Sequence, residues 1–241
     1  MGATPQAALG LGGILDKKPA KVTVLRGRVK SAGYGGMEML TDSHIDQKTL
    51  NAYDQKAGEF TFDWHAQTPP EDLYDLVRRF FLTGRTADVG SGSGRDAAWL
   101  QRNGFEVTGY EPSLGLLREA RRLYPEICFH QAALPGLDEI APGSFSNVLC
   151  ETVLMHLPRV AIPLAVRRLM DILEYGGVLY LSWRVTKGSD ERDAAGRLYT
   201  AFEAPFVLQQ LSSEHILHNE EVVSLSSARR IHKIIVRKAT R

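Results

Sequence analysis

A glycine-rich segment near the centre of the 241-residue chain has the residue types of a ligand-binding loop. Residues 88–94 read DVGSGSG, so three glycines alternate with two serines behind Asp88. Glycine permits the positive φ of a tight turn, and its missing Cβ lets a ligand approach the backbone. A helix that begins after such a loop presents unpaired N–H groups. The segment therefore predicts a site for a small ligand.

An acidic residue stands at the spacing that nucleotide-binding folds use for ribose. Glu111 follows Gly90 by 21 residues and closes the second predicted strand. In nucleotide-binding α/β folds, a carboxylate in this place accepts hydrogen bonds from the ribose hydroxyls. The loop and Glu111 together predict an adenosyl ligand, which is part of both S-adenosylmethionine and NAD.

The glycine spacing and Asp88 distinguish these two ligands. Dinucleotide sites have the spacing G-x-G-x-x-G and give the helix N-terminus to a diphosphate, whereas the spacing here is D-x-G-x-G-x-G. The carboxylate of Asp88 would repel a diphosphate and attract the ammonium group of a methionyl tail, directly or through water. We therefore expect S-adenosylmethionine, and an NAD-type oxidoreductase is the rival interpretation.

The elements around the loop alternate between short β-type runs and amphipathic helices. The predicted strands are 85–89, 105–110, 127–131, 145–150 and 178–183, and the predicted helices are 93–103, 113–124 and 162–173. Strands joined by helices pair parallel through right-handed crossovers. The pattern predicts an α/β fold with a doubly wound, mostly parallel sheet and helices on both faces.

The two ends of the chain depart from this alternation. Apolar spacing predicts one helix over residues 45–60, and the segment 68–71 resembles a capping box that starts a second helix. Residues 191–212 are predicted to be largely helical. Strands at 222–226 and 231–238 are joined by so short a link that they form a hairpin, so one of them runs antiparallel to the sheet.

Four segments resemble, in the same order, the motifs of class I, seven-strand S-adenosylmethionine-dependent methyltransferases. Residues 88–94 resemble the first motif, Glu111 the ribose acid, 147–156 the fourth-strand motif and 174–182 the segment that leads into the fifth strand. The resemblance covers about residues 42–238. It implies methyl transfer from S-adenosylmethionine to a nucleophilic atom.

The resemblance also implies a sheet order and a domain organisation. The family's order is 3-2-1-4-5-7-6, with the seventh strand antiparallel, here 231–238. Residues 1–40 are glycine-rich and basic, and we expect a flexible N-terminal extension. Residues 41–241 are then a single cofactor-binding domain, in which 41–84 form a helical lid and 85–241 form a Rossmann-like core.

The cofactor contacts that we expect come from the loop and from four strand ends. They are Asp88, Gly90, Ser91, Gly92, Gly94, Arg95, Asp96, Glu111, Pro112, Ala132, Ala133, Leu134, Glu151, Thr152 and His156. The adenine end departs from the family pattern, because many members end the third strand with an aspartate and this chain has QAAL at 131–134. Gln131 could replace this aspartate through its amide oxygen. Alternatively, the backbone groups of Ala132 and Ala133 contact the adenine, and Pro112 and Leu134 pack on the faces of its ring.

The acceptor contacts are less constrained, because displacement at a sulfonium needs alignment and water exclusion more than a strong acid or base. His156 is the candidate catalytic residue, as a general base or as a wall of the pocket, and the alternative is a histidine that only packs the loop. The expected acceptor-binding residues are Tyr53, Trp64, His65, Arg184 and Tyr199. Tyr53 is alternatively part of an apolar helix stripe, and Arg184 either holds an acceptor carboxylate or phosphate or forms a surface salt bridge.

Composition and charge restrict the partners. The net charge of +1 and pI of about 7.8 give no global field for nucleic acid. Cys128 and Cys150 are expected to be buried free thiols, no metal site is expected, and the absence of an apolar span or basic leader favours the cytoplasm over a membrane. The basic residues of the tail are Arg229, Arg230, Lys233, Arg237, Lys238 and Arg241. Most of them are expected to point outward from a strand.

The function that we infer from the sequence is methylation of a small-molecule acceptor, because no basic cleft or added recognition domain is evident. Methylation of a protein or RNA is the first alternative, and the basic N-terminal segment is the feature that supports it. A protein that binds S-adenosylmethionine without catalysis is the second. The sequence does not specify the acceptor atom or the oligomeric state.

Overall fold

A computed structural model describes residues 44–240, so the extension expected at residues 1–40 lies outside the described residues. Nine strands occur in the described part of the chain. They are β1 (Arg85–Val89), β2 (Glu106–Tyr110), β3 (Cys128–His130), β4 (Phe145–Cys150), β5 (Leu173–Arg184), β6 (Glu191–Arg192), β7 (Leu198–Tyr199), β8 (His215–Val223) and β9 (Arg230–Arg237).

Seven of these strands form one sheet in the order β3-β2-β1-β4-β5-β9-β8, and β6 and β7 form a separate hairpin. Strands β1 to β5 pair parallel, and β9 pairs antiparallel with both β5 and β8. The predicted fold class and strand order are therefore confirmed, with β8 and β9 in the places of the sixth and seventh strands. The strand order reverses at β1, whose neighbours β2 and β4 follow it on opposite sides, and open α/β sheets bind ligands at such a point.

The helices cover both faces of the sheet. They are α1 (Gln47–Gln55), α2 (Ala57–Ala66), α3 (Glu71–Phe80), α4 (Arg95–Arg102), α5 (Leu114–Leu123), α6 (Ile162–Ile172) and α7 (Ala204–Leu208). None of the helices within residues 44–240 is long and apolar enough to cross a membrane.

The core has two layers because consecutive residues of the central strands face opposite sides of the sheet. In β5, Leu179 and Leu181 join the apolar cluster that includes α6, whereas Val178 and Tyr180 join the cluster that includes α3. All four side chains are fully buried. Burial on both faces explains why residues 178–181 of β5 form a continuous apolar run rather than an alternating one.

The segment before the core differs from the prediction in two ways. The single helix predicted over 45–60 is two helices, since Lys56 leaves helical geometry at φ −117° and ψ 23°. The capping box at 68–71 is wrong, because α3 begins at Glu71 behind Pro70 and no side chain caps it. Thr68 and Pro69 each precede a proline, which disfavours helical geometry at both.

The segment 191–212 is also not largely helical, as had been predicted. It begins with the β6–β7 hairpin and continues to the short helix α7. The side chain of Asp193 accepts hydrogen bonds from the backbone N–H groups of Ala195 and Arg197, both at 3.0 Å, and Gly196 has φ +89°. Such a side-chain turn competes with helix formation, so the chain reverses here.

Burial corrects two further expectations. Cys128 is exposed, because β3 is an edge strand, while Cys150 is a buried free thiol as predicted. Lys233 does not point into solvent. It lies in β9, an internal strand, is only 1% exposed, and its Nζ lies 2.5 Å from Oδ2 of Asp72 in α3.

The Lys233–Asp72 pair yields a prediction about stability. Replacing Lys233 with Met leaves the Asp72 carboxylate without its partner. We therefore expect the free energy of unfolding to fall by about 3 kcal/mol, which is the low end of the cost of removing one partner of a buried ion pair. The double variant Lys233→Met with Asp72→Leu should recover most of this loss, because it removes both charges. Urea unfolding measures both effects.

The exposed pair Arg230–Glu221, with N–O distance 2.7 Å, is the matched control. Replacing Arg230 with Met should change stability by less than about 1 kcal/mol. Equal losses from Lys233→Met and Arg230→Met would contradict the interpretation of the buried pair.

Candidate functional site

A cavity of about 520 Å³ lies where the carboxyl ends of the parallel strands meet the N-terminal helices. Its lining comes from the loop after β1, the ends of β2, β4 and β5, the segment after β3, the helix α1, and the turn between β8 and β9. This volume is in the range of small-molecule sites in proteins. The cavity is therefore the candidate functional site.

The glycine loop forms one wall of the cavity because its backbone turns in a way that side chains oppose. Gly90 and Gly92 have φ values of +76° and +56°. A Cβ at Gly90 would lie 2.3 Å from the side chain of Val153, and one at Gly92 would lie 3.0 Å from the ring of Trp64. The backbone N–H of Gly90 donates to the carbonyl of Tyr110 at 2.8 Å, which fixes the loop to the end of β2.

Glu111 is buried beside this loop, and backbone groups hold its carboxylate. Its Oε2 accepts a hydrogen bond from Gly92 N and its Oε1 accepts one from Ser113 N, both at 2.9 Å. Burial raises the pKa of Glu111 to about 7, against the opposing effect of these two hydrogen bonds. Each oxygen keeps a further acceptor position, so the carboxylate can bind a ligand with two hydroxyl groups.

Asp88 lies behind the loop rather than in the lining of the cavity. It is 3% exposed, and its Oδ2 has no hydrogen-bond partner within residues 44–240. Burial raises the pKa of Asp88 well above its usual range, and the nearby carboxyls of Asp96 and Glu111 raise it further. A buried carboxyl oxygen without a partner is costly, so a positive or hydrogen-donating group near the loop would stabilise the ionised form.

Arg95 and Asp96 connect the start of α4 to α2 and α3. The guanidinium of Arg95 donates two hydrogen bonds to Asp96, at 3.0 and 3.2 Å, and a third to the carbonyl of Trp64 at 3.3 Å. Tyr74 also donates to Asp96, at 2.9 Å. The positive charge of Arg95 is therefore neutralised inside the protein and does not make the loop a site for a diphosphate.

The end of β4 contributes a third acid to the cavity. Ser182 donates a short hydrogen bond to the carboxylate of Glu151, and the backbone N–H of Thr152 donates to the Ser182 hydroxyl at 3.0 Å. Burial raises the pKa of Glu151 above its ordinary value. Glu151 and Thr152 both line the cavity.

His156 lines the cavity, and both of its ring nitrogens are bonded. Nδ1 lies 2.6 Å from the carbonyl of Leu198, which only accepts, so Nδ1 carries the hydrogen and Nε2 accepts the hydroxyl hydrogen of Tyr53 at 2.9 Å. Burial lowers the pKa of His156 to about 4 and raises the pKa of Tyr53. The imidazole is therefore neutral, and a ligand proton reaches it only through the Tyr53 hydroxyl.

Arg197 stands among the aromatic rings on the acceptor side of the cavity. Its guanidinium lies 4.5 Å from the ring centroid of Phe60, 5.3 Å from that of Tyr53 and 5.8 Å from that of Tyr199. It also forms an ion pair with Asp193 at 2.6 Å and donates to the Tyr53 hydroxyl at 3.2 Å. The expected acceptor residues included Tyr199 from this segment but not Arg197.

Most of the expected site residues line this one cavity. They are Gly90, Ser91, Gly92, Arg95, Asp96, Glu111, Pro112, Ala132, Ala133, Leu134, Glu151, Thr152, His156, Tyr53, Trp64, Arg184 and Tyr199. Three expected residues lie outside the lining: Asp88 behind the loop, Gly94 against Phe129 and Tyr124, and His65, which bonds the Ser93 hydroxyl at 3.2 Å. Gln131 lies outside the lining, and its side-chain Nε2 donates to the carbonyl of Pro112 at 3.2 Å, whereas Ala132 and Ala133 line the cavity.

The sequence did not identify several other lining residues. They are Ile45, Asp46, Thr49, Leu50, Gln67, Val89, Ser93, Leu116, Val153, Met155, Leu157, Arg197, Ser224, Ser226, Ser227, Arg229 and Ile231. Among the described residues, no group of three or more His, Cys, Asp or Glu side chains is placed to hold a metal ion.

Comparison with known proteins gives a match to a family model, a curated relative and similar solved structures. A family model described as a methyltransferase domain matches residues 87–177. A curated relative, the ubiquinone biosynthesis O-methyltransferase of Xanthomonas campestris pv. campestris (strain B100), is 30% identical in an alignment of length 156 that covers 59% of this chain. The matched region spans 63% of that relative's length.

Two solved structures are similar in fold. The 1,6-didemethyltoxoflavin-N1-methyltransferase of Burkholderia thailandensis, with bound 1,6-didemethyltoxoflavin and S-adenosylhomocysteine, has a TM-score of 0.65 at 17% identity and covers 86% of this chain and 99% of its own. The [4+2]-cyclase SpnF has a TM-score of 0.65 at 17% identity and covers 83% and 98%. At this identity the similarity establishes the fold alone.

The neutral His156 yields a prediction about pH. The pKa of His156 is about 4 in the folded protein, against about 6.5 for an unperturbed histidine. Below pH 6.5 the unfolded chain therefore binds a proton that the folded protein does not, so this group makes the fold less stable as the pH falls. Between pH 7 and pH 5 it should lower the unfolding free energy by about 2 kcal/mol.

The matched variant His156→Gln should lack this part of the pH dependence, because it removes the titrating group. Denaturant unfolding at pH 7 and pH 5 gives the comparison, and imidazole ¹⁵N NMR should report an Nδ1–H tautomer that does not titrate above pH 5. A His156 signal that titrates near pH 6.5 would contradict the buried, doubly bonded arrangement.

Proposed function

We propose that this chain is a class I, seven-strand S-adenosylmethionine-dependent methyltransferase and that it transfers a methyl group to a small-molecule acceptor in this cavity, as its methyltransferase-domain match and sheet order support. The observation that supports this most strongly is the charge arrangement at the glycine loop. The carboxyl groups of Glu111 and Glu151 line the cavity together with the glycine loop, and that of Asp88 is buried behind the loop. The one arginine beside them, Arg95, is bonded to Asp96. Such an end of the cavity suits a cationic ligand.

The residues at this end fit S-adenosylmethionine. Glu111 has acceptor positions left for the two ribose hydroxyls, and the glycine backbone leaves space beside them. Ala132 and Ala133 would wall the adenine, and Asp88 and Glu151 would attract the positively charged amino-acid tail. When bound, the cofactor supplies a methyl group activated by attachment to a positively charged sulfur.

The protein's own contribution is alignment and exclusion of water. We propose that α1 and α2, within the expected lid of residues 41–84, cover the cavity through Tyr53 and Trp64. Tyr53 and His156 give the acceptor side a hydrogen-bonded O–H and ring nitrogen that can relay a proton. Because the pKa of His156 is about 4, this relay is a weak base. The rate therefore depends mainly on the position of the reacting groups.

A small-molecule acceptor is supported by the size of the cavity and by the relatives. Its volume of about 520 Å³ must hold cofactor and acceptor together. The curated relative is named for ubiquinone biosynthesis, a small-molecule pathway. We also propose a cytoplasmic location, which is supported by the two free cysteines.

The similarity to SpnF supports one other candidate. That protein is named as a [4+2]-cyclase although its fold is like that of this chain. A protein that binds S-adenosylmethionine without transferring its methyl group is therefore the second candidate. It shares the cofactor end of the site and differs only in the fate of the methyl group.

The cofactor site is tested with matched glycine variants. Gly92 lines the cavity and has φ +56°, while Gly104 has φ +87°, lies beyond α4 and has open space around it. Both Gly→Ala changes strain the backbone, but only Gly92→Ala puts a methyl group at the site. We expect calorimetry to show S-adenosylmethionine binding at least about tenfold weaker, or ~1.4 kcal/mol, for Gly92→Ala alone.

Catalysis is tested by supplying methyl-labelled S-adenosylmethionine to cell extract and separating the dialysable fraction from protein and RNA. We expect labelled products, separated from unreacted S-adenosylmethionine, in the dialysable fraction for the unmodified chain and for Gly104→Ala, and little for Gly92→Ala. Label confined to protein or RNA would contradict a small acceptor. Intact cofactor binding with no label in either fraction would favour the non-catalytic candidate.

A further inference from the structure

Two arginines line the acceptor side of the cavity without an acidic partner. Arg184 ends β5, and its guanidinium lies 4.7 Å from the ring centroid of Tyr199. Arg229 lies in the turn between β8 and β9 and is exposed. Within residues 44–240, neither guanidinium has a carboxylate at ion-pair distance. Both side chains are therefore free to bind a group that enters the cavity.

The backbone segments that carry these two arginines are neighbours. Arg184 is paired in register with Ile231, which is two residues after Arg229, and Ile231 also lines the cavity. The backbone N–H of Val185 donates to the carbonyl of Arg230 at 3.0 Å, so the end of β5 and the turn are held together. Two positive charges carried by neighbouring backbone segments that line one cavity favour the binding of an anion there.

The acids that line the cavity already have other partners. Asp46 lies 2.6 Å from Arg192, and Asp96 lies 3.0 Å from Arg95. The acids at the ends of β2 and β4 bind backbone N–H groups and a serine hydroxyl, respectively. Arg197, the other arginine on this side, is paired with Asp193. The uncompensated charge of the acceptor side is therefore positive.

Serine hydroxyls beside Arg229 add neutral donors. Ser224, Ser226 and Ser227 all line the cavity. The hydroxyls of Ser224 and Ser226 are 3.1 Å apart, so one donates to the other and one O–H of the pair is left to donate elsewhere. Guanidinium groups with nearby hydroxyl donors match the oxygens of a carboxylate or a phosphate.

We propose that the acceptor is an anionic small molecule whose carboxylate or phosphate group binds Arg184 and Arg229, with the turn hydroxyls as further donors. This inference rests on the proposed methyltransferase function for the reaction, but the anion site itself is a property of the cavity. The anion fixes one end of the acceptor at the turn between β8 and β9, and the nucleophilic atom faces the cofactor end. The cationic wall also excludes neutral molecules of the same shape, since they leave both charges unpaired.

The anion site is tested directly with inorganic phosphate and with benzoate, each titrated into the protein saturated with S-adenosylhomocysteine at constant ionic strength. Ligand-dependent thermal stabilisation gives an apparent dissociation constant. The double variant Arg184→Gln with Arg229→Gln should weaken binding of at least one probe by about tenfold or more. The matched control is Arg230→Gln, the next arginine in the chain, which pairs with Glu221 and lies outside the lining. Equal responses in the double variant and in Arg230→Gln would overturn the site.

The class of acceptor is tested by passing the dialysable extract over an anion-exchange resin before labelling. Label should appear in products made from the retained fraction, and the double variant should raise KM for that fraction while cofactor binding stays unchanged. If the acceptor is no longer retained by the resin after phosphatase treatment, its anionic group is a phosphate. If it is still retained, the group is a carboxylate or a phosphodiester. Label made only from the unretained fraction would overturn the proposal. If neither fraction is labelled although the cofactor binds, the proposed function fails, and the probe titration alone decides the anion site.

Discussion

The carboxylate of Glu111 is the interaction on which the candidate site depends, because it joins the glycine loop to the end of the second strand. One oxygen accepts a hydrogen bond from the N–H of Gly92, and the other accepts one from Ser113 at the start of α5. A buried carboxylate that lost either donor would lack compensation for its desolvation. A change in the shape of the loop would therefore leave a buried acid without a hydrogen-bond donor. The loop is held in this shape by the protein itself, without a ligand.

The rest of the cavity is assembled from segments that are distant in the sequence. Helix α1, which precedes the core, meets the β6–β7 hairpin, which follows β5. Thr49 accepts a hydrogen bond from the N–H of Leu198 at 2.8 Å, and Asp54 accepts one from Gly115 at 2.9 Å. These contacts bring Tyr53 to His156 and set the aromatic rings around Arg197. The acceptor side thus depends on contacts between segments far apart in the sequence, whereas the cofactor end is built from the glycine loop and the strand ends beside it.

This difference explains how much could be predicted from the sequence. The glycines of segment 88–94 adopt the predicted turn, and strand β4 has the predicted bounds. Both could be predicted because glycine spacing and apolar runs are local features of the sequence. Arg197 could not be identified, since its place depends on the turn that Asp193 forms within a segment whose spacing suggested a helix. Arg229 is exposed, as expected for the basic tail, but its place beside the cavity could not be predicted, because only the pairing of β9 with β5 brings its turn there.

A crystal structure of the protein with S-adenosylhomocysteine is the most direct test of the central claim, which is that Glu111 and the glycine loop recognise an adenosyl amino acid. The account predicts both ribose hydroxyls within hydrogen-bond distance of the Glu111 carboxylate. It also predicts the amino-acid tail beside Gly90 and Gly92, near Glu151. A sugar bound away from Glu111, or a ligand that leaves the glycine loop untouched, would contradict it.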